Sequence, residues 1–126
     1  MAELATLPEH RSKLTAGKNL ATQQMVDDLE ALIDDLSARF ELPQEFVVPG
    51  ENVVAAHLDV ARTVVRRAER DALRATRNVD GARAVPYLNR LSDLLWTMAR
   101  WVEGSSLATR SVAPARGVAS VDPTPS

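Results

Sequence analysis

Apolar side chains in this chain recur at intervals of three and four, and nowhere alternate as they would along a half-buried strand. Met25, Leu29, Leu32, Ile33, Leu36 and Phe40 form the first such stripe. Thr22 stands before it as an N-cap, and Asp27, Asp28 and Glu30 lie toward the positive end of the helix dipole. Pro43 is the expected stop. Phe46-Val47-Val48-Pro49-Gly50 then reads as an extended apolar turn. A second helix is expected from about Asn52 to Arg77, burying Val54, Leu58, Ala61, Val65, Ala68 and Ala72, with Asn78, Asp80 and Gly81 ending it. A third starts near Pro86, which suits a first helical turn, and runs to Gly104. Its Leu88, Leu91, Leu95, Met98 and Val102 alternate in threes and fours, as along a bundle seam.

Residues 1–21 mix polar positions with Pro8 and Gly17 and read as an irregular lead-in. Residues 105–126 are rich in Ser, Ala, Pro, Thr and Val without a period, and read as a disordered tail. The expected fold class is therefore all-α: a bundle of three helices within one domain over 1–104, followed by that tail. Three helices make a thin core. A bundle this small often completes its core by associating with its own copies, so self-association is expected.

Composition narrows the chemistry. Aromatics are 4% of the 126 residues, so the core must come from aliphatic side chains. The absence of cysteine excludes disulfides, thiolate metal sites and cysteine nucleophiles. Two histidines, His10 and His57, are too few and too far apart for a zinc site, and no metal site is expected. A net charge of −2 gives no global case for nucleic acid or an anionic membrane. The start carries neither a basic region nor an apolar run, and no stretch approaches the roughly 20 apolar residues of a membrane span. A cytoplasmic protein is the expectation.

The local charge is more telling than the sum. Arg62, Arg66, Arg67, Arg70, Arg74 and Arg77 share the second helix with only Glu69 and Asp71, and no lysine is among them. A guanidinium grips phosphate oxygens with a planar fork and stays charged when partly buried. At the helical repeat, Arg62, Arg66 and Glu69 lie within about 40–60° of one another, beside the apolar stripe. Arg67, Arg70, Arg74 and Arg77 occupy a neighbouring strip. From spacing alone, a solvated face with intrahelical ion pairs, such as Asp59 with Arg62, is the favoured reading, and a ligand the alternative. Asn89, Arg90 and Asp93 are open to the same two readings, with Trp96 and Arg100 on the polar side of their helix. Phe46 is exposed by its turn, either to staple onto the next helix or to meet a ligand.

Three segments together carry a resemblance. Phe46-Val47-Val48-Pro49-Gly50-Glu51, then Ala61-Arg62-Thr63-Val64-Val65-Arg66-Arg67-Ala68-Glu69-Arg70, then Tyr87-Leu88-Asn89-Arg90-Leu91-Ser92-Asp93-Leu94-Leu95 resemble the ATP:cob(I)alamin adenosyltransferases of the propanediol-utilisation type. That family carries an F-x-L-P-G-G turn, an A-R-T-x-x-R-R-A-E-R helix and a Y-L-N-R-L-S-D-L-L helix. The likeness covers about residues 1–103, and Ala2-Glu3-Leu4-Ala5-Thr6 looks like the end of the family's second helix.

The resemblance implies a ferritin-like helical bundle, assembled as a homotrimer with sites between subunits. It implies transfer of the 5′-deoxyadenosyl group of ATP, taken with Mg2+, to cob(I)alamin, releasing triphosphate. By the same likeness Arg66, Arg67, Glu69, Arg70 and Asn89 match ATP-contacting positions. Arg62 matches an arginine paired with an aspartate of a neighbouring subunit. Phe46 matches the aromatic that crowds the lower corrinoid face and displaces its axial ligand. Arg62, Arg66 and Phe46 are thus the expected catalytic set.

The sequence also departs from the pattern. It holds no T-G-D-x-G-x-T phosphate loop and no counterpart of the family's first helix, so the resemblance implies a domain truncated at its N-terminus. Glu51 replaces the second glycine of the turn, Val65 stands where cysteine is common, and the loop at 78–85 is short. A non-catalytic cobalamin- or nucleotide-binding module, serving as partner to a cobalamin-dependent enzyme, is the alternative. Nucleic-acid binding along the arginine strip is disfavoured by the acidic first helix and the scarcity of aromatics.

Overall fold

The computed structural model describes residues 2–18, 20–44, 46–77, 79 and 82–104. Among these residues five helical elements follow one another: α1 (Ala2–Ala5), a 3-10 helix (Pro8–Lys13), α2 (Gln23–Ser37), α3 (Val53–Ala75) and α4 (Ala84–Glu103). The all-α expectation holds, with three long helices where the sequence places them. The tail expected over 105–126 lies outside the described residues, as do Asn78, Asp80 and Gly81.

The caps explain the starts. Thr22 Oγ1 accepts the Met25 N–H at 3.3 Å, and Asn52 Oδ1 accepts the Ala55 N–H at 2.9 Å. Each satisfies an amide that has no partner inside its helix. Pro86 falls in the first turn of α4, where a missing N–H breaks no hydrogen bond. Gly104 closes α4 at φ +74°, a conformation that favours glycine. The end of α2 differs from expectation. It stops at Ser37, well before Pro43, because Arg39 N–H turns back to Leu36 O in a tighter 3-10 turn.

The lead-in is more ordered than its composition suggests. Glu3 is buried at 3% exposure; its Oε1 meets Arg11 Nη2 at 3.1 Å and its Oε2 accepts the Ala21 N–H at 2.8 Å. One carboxylate thus ties α1, the 3-10 helix and the approach to α2 together.

Helix α4 is the centre. It packs against both α2 and α3, whereas α2 and α3 hardly touch. No residue from Tyr87 to Arg100 is exposed. This two-sided burial blurs the expected seam: Leu88, Leu91, Leu95, Met98 and Val102 are only half-buried, and the buried residues of α4 are Ala84, Ser92, Thr97, Ala99 and Arg100. The α3 stripe is also displaced. Ala55 and Ala72 are buried, but Val54 is 56% exposed. Small side chains on both helices let the backbones approach closely. On α2, Val26 and Leu29 are buried while Leu32 is 53% exposed. Val53, Val60 and Val64 form an exposed apolar strip on α3.

Candidate functional site

Helix α3 carries two adjoining features. Its first half forms one wall of a cleft of about 870 Å³, and its second half carries the arginines. The remaining cleft walls are the Phe46–Gly50 turn with Pro43 and Gln44, and Trp96 and Arg100 from α4. Phe46 stands at 91% exposure on the rim. A staple packed onto the next helix is therefore ruled out for this side chain.

Arg62 lines the cleft and is the first of the arginine series. Its Nε is buried and has no hydrogen-bond partner among the described residues. The intrahelical pair expected with Asp59 does not form. Asp59 instead accepts from Arg100 Nη2 at 2.7 Å and from the Gly50 N–H at 3.2 Å. A buried donor left unpaired is costly, which makes Arg62 a candidate for a contact from outside its own fold.

One turn further along, Arg66 Nη1 contacts Glu69 Oε2 at 2.8 Å. Across the seam, Asn89 Nδ2 donates to Glu69 Oε1 at 3.0 Å. Arg90 Nη2 in turn reaches Asn89 Oδ1 at 2.7 Å and Asp93 Oδ2 at 2.7 Å. The fold therefore gathers Arg66, Glu69 and Asn89, which the sequence separates by up to 23 positions, into one polar cluster. Arg67 and Arg70 lie beside it, exposed and without an ion pair among the described residues. Arg74 is spent on an exposed pair with Asp71 at 3.0 Å. The cluster and its free neighbours can present several guanidinium and amide donors to one polyanion.

Sequence reasoning missed Asp59, Trp96 and Arg100 as site residues. Arg100 was expected on a polar face, yet it is 2% exposed. Its charge is met by Asp59 and by Glu103, whose Oε1 accepts from Nη2 at 3.0 Å. The guanidinium carbon lies 5.6 Å from the Trp96 ring centroid, within cation–π range. The Arg100–Glu103 spacing was a visible signal; the link to Asp59, 41 positions away, was not.

Among the described residues, no three histidine or acidic side chains gather to hold a metal ion. None of the described helices is long and apolar enough to cross a membrane.

Comparison with known proteins agrees with this architecture. The family model described as cobalamin adenosyltransferase matches residues 1–102. A corrinoid adenosyltransferase of Citrobacter freundii is 41% identical over 99 residues, 76% of this chain and 55% of that protein. One from Mycobacterium tuberculosis is 46% identical over 81 residues, 62% of this chain and 42% of that protein. Among solved structures, a variant PduO-type ATP:corrinoid adenosyltransferase of Lactobacillus reuteri, complexed with cobalamin and ATP, superposes with a TM-score of 0.69 at 26% identity. It covers 82% of this chain and 57% of that one. The chain spans about half the length of these relatives.

Proposed function

The chain belongs to the cobalamin adenosyltransferase family, and on that premise we propose that it serves transfer of the 5′-deoxyadenosyl group from ATP to cob(I)alamin. The observation that carries the proposal is the continuity along α3 of an open cleft and an arginine cluster, meeting at the unpaired Nε of Arg62.

In the reaction, the cobalt(I) electron pair attacks C5′ of ATP. The C5′–O bond breaks, and its electrons leave with triphosphate. The protein's part is positional and electrostatic. Arg66, Arg67 and Arg70, with Asn89, hold the polyphosphate and neutralise the charge that grows on the leaving group. Glu69 holds Arg66 and Asn89 in one orientation from both sides. Phe46, projecting from its turn beside the cleft, lies against the lower corrinoid face and excludes an axial ligand. Arg62 meets a carboxylate of a neighbouring subunit that carries the family's first helix, in a trimer with its sites between subunits. The exposed Val53–Val60–Val64 strip supports such self-association. Mg2+ enters with the nucleotide, since the described residues offer it no carboxylate cage. The setting is the cytoplasm.

The test is formation of adenosylcobalamin from ATP and reduced cobalamin by the purified chain, alone and mixed with a peptide carrying the family's phosphate loop. Turnover in either mixture supports the proposal. Binding of both substrates without turnover in either would reduce the chain to a binding module.

A further inference from the structure

Phe46 sits on a turn that lies in no helix and is paired at Val47 by an isolated bridge, so contacts from behind the turn also bear on its position. Among the described residues, the following polar contacts lie behind the turn. Gly50, at φ +80°, donates its N–H to Asp59 Oδ2 at 3.2 Å. The same oxygen accepts from Arg100 Nη2 at 2.7 Å. Glu103 holds that guanidinium from its other side: Oε1 accepts from Nη2 at 3.0 Å, while Oε2 lies 2.9 Å from Nε but out of line for a hydrogen bond. Asn52, at the end of the turn, reaches Val102 O at 3.4 Å.

We infer that Asp59 and Arg100 are positioning residues: a buried ion pair that fixes the Phe46 turn against the α3–α4 wall. This inference rests on the corrinoid reading of the cleft for its catalytic meaning, but not for its geometry. Three features single the pair out. First, Arg100 is 2% and the Asp59 side chain 15% exposed, so the bond is shielded from water and salt. Second, Asp59 Oδ2 is shared, so whatever moves Arg100 moves the acceptor of the turn's amide. Third, both residues line the cleft that Phe46 also lines, with Trp96 beside the guanidinium, so the pair also shapes that cleft's wall. Buried charges need partners, and removing either Asp59 or Arg100 leaves the other without its own.

The test uses the full chain and the variants Asp59→Asn and Arg100→Met, with helical content confirmed by circular dichroism. Amide exchange at Gly50 should accelerate on the order of tenfold in each, as its acceptor loses its charge in one variant and its guanidinium anchor in the other, while amides inside α2 keep their protection. Bound cob(II)alamin provides the second readout: the fraction lacking an axial ligand should fall in Asp59→Asn as it falls in Phe46→Ala. Unchanged Gly50 exchange in Asp59→Asn would overturn the inference. If Gly50 loosens but the cob(II)alamin spectrum of Asp59→Asn matches the parent while that of Phe46→Ala shifts, the pair does not position Phe46, and the inference also fails. If Phe46→Ala itself leaves the spectrum unchanged, the corrinoid reading fails instead, and Gly50 exchange alone decides whether the pair holds the turn. Should a single variant lose its helices, the triple variant Asp59→Asn/Arg100→Gln/Glu103→Gln, which removes all three charges together, carries the same measurements.

Discussion

Asn89 on α4 donates its side-chain amide to Glu69 on α3 at 3.0 Å, while the other oxygen of that carboxylate holds Arg66 at 2.8 Å. A single acid thus orients two groups assigned to the nucleotide, one from each helix. Replacing Asn89 with Ala leaves Oε1 of a side chain only 17% exposed without its cross-helix donor. The expected cost is about 1 kcal/mol of stability, read as a fall of several degrees in Tm, with weaker ATP binding alongside. An unaltered melt would show that the bond is incidental.

Arg62 leads to the opposite expectation for stability. Its buried Nε has no partner among the described residues, so in the isolated chain the guanidinium contributes little to folding. Arg62→Met should leave the melting temperature of dilute, monomeric protein unchanged or slightly raised. The same substitution should weaken self-association and cobalamin binding. A large loss of monomer stability would show that Arg62 is already satisfied within its own fold.

These two cases show what the sequence made legible and what it did not. Thr22 and Asn52 cap where the pattern places them, because a cap is a local event within three residues. The arginine series and Asn89 were visible as residue types, but their convergence on Glu69 depends on the crossing of α3 and α4. The stripe of α3 was misplaced by one residue, Val54 for Ala55, because its alanines offer little contrast in hydropathy between adjacent faces. Arg100 was misread for a related reason: α4 is covered on two sides, and a charged residue there must find its partner at a distance that periodicity does not report.

The exposed face of α3 leads to an assembly prediction. Val53, Val60 and Val64 are 71%, 60% and 59% exposed, and Val60 also lines the cleft. Sedimentation of the chain at micromolar concentration should show a species heavier than monomer. Val60→Lys with Val64→Lys should return it to monomer while circular dichroism retains the helices. A parent chain that sediments as a stable monomer would remove the case for subunit-bridging sites.

Arg67 and Arg70 are exposed and without ion pairs among the described residues, so neither is expected to support the fold. Their replacement by Ala should leave Tm unchanged and lower nucleotide affinity, the loss shrinking as salt rises. Arg74→Ala is the control: its guanidinium is engaged by Asp71 in an exposed pair, and its loss should affect nucleotide binding least.

The claim on which the rest depends is that guanidinium groups of α3 grip a triphosphate. Calorimetric titration of ATP, and of inorganic triphosphate, into the parent chain and Arg66→Ala tests it most directly. The account expects both ligands to bind the parent and to lose on the order of tenfold or more in affinity when Arg66 is removed, as for a charge-assisted contact. Equal affinity of the two proteins for both ligands would contradict it.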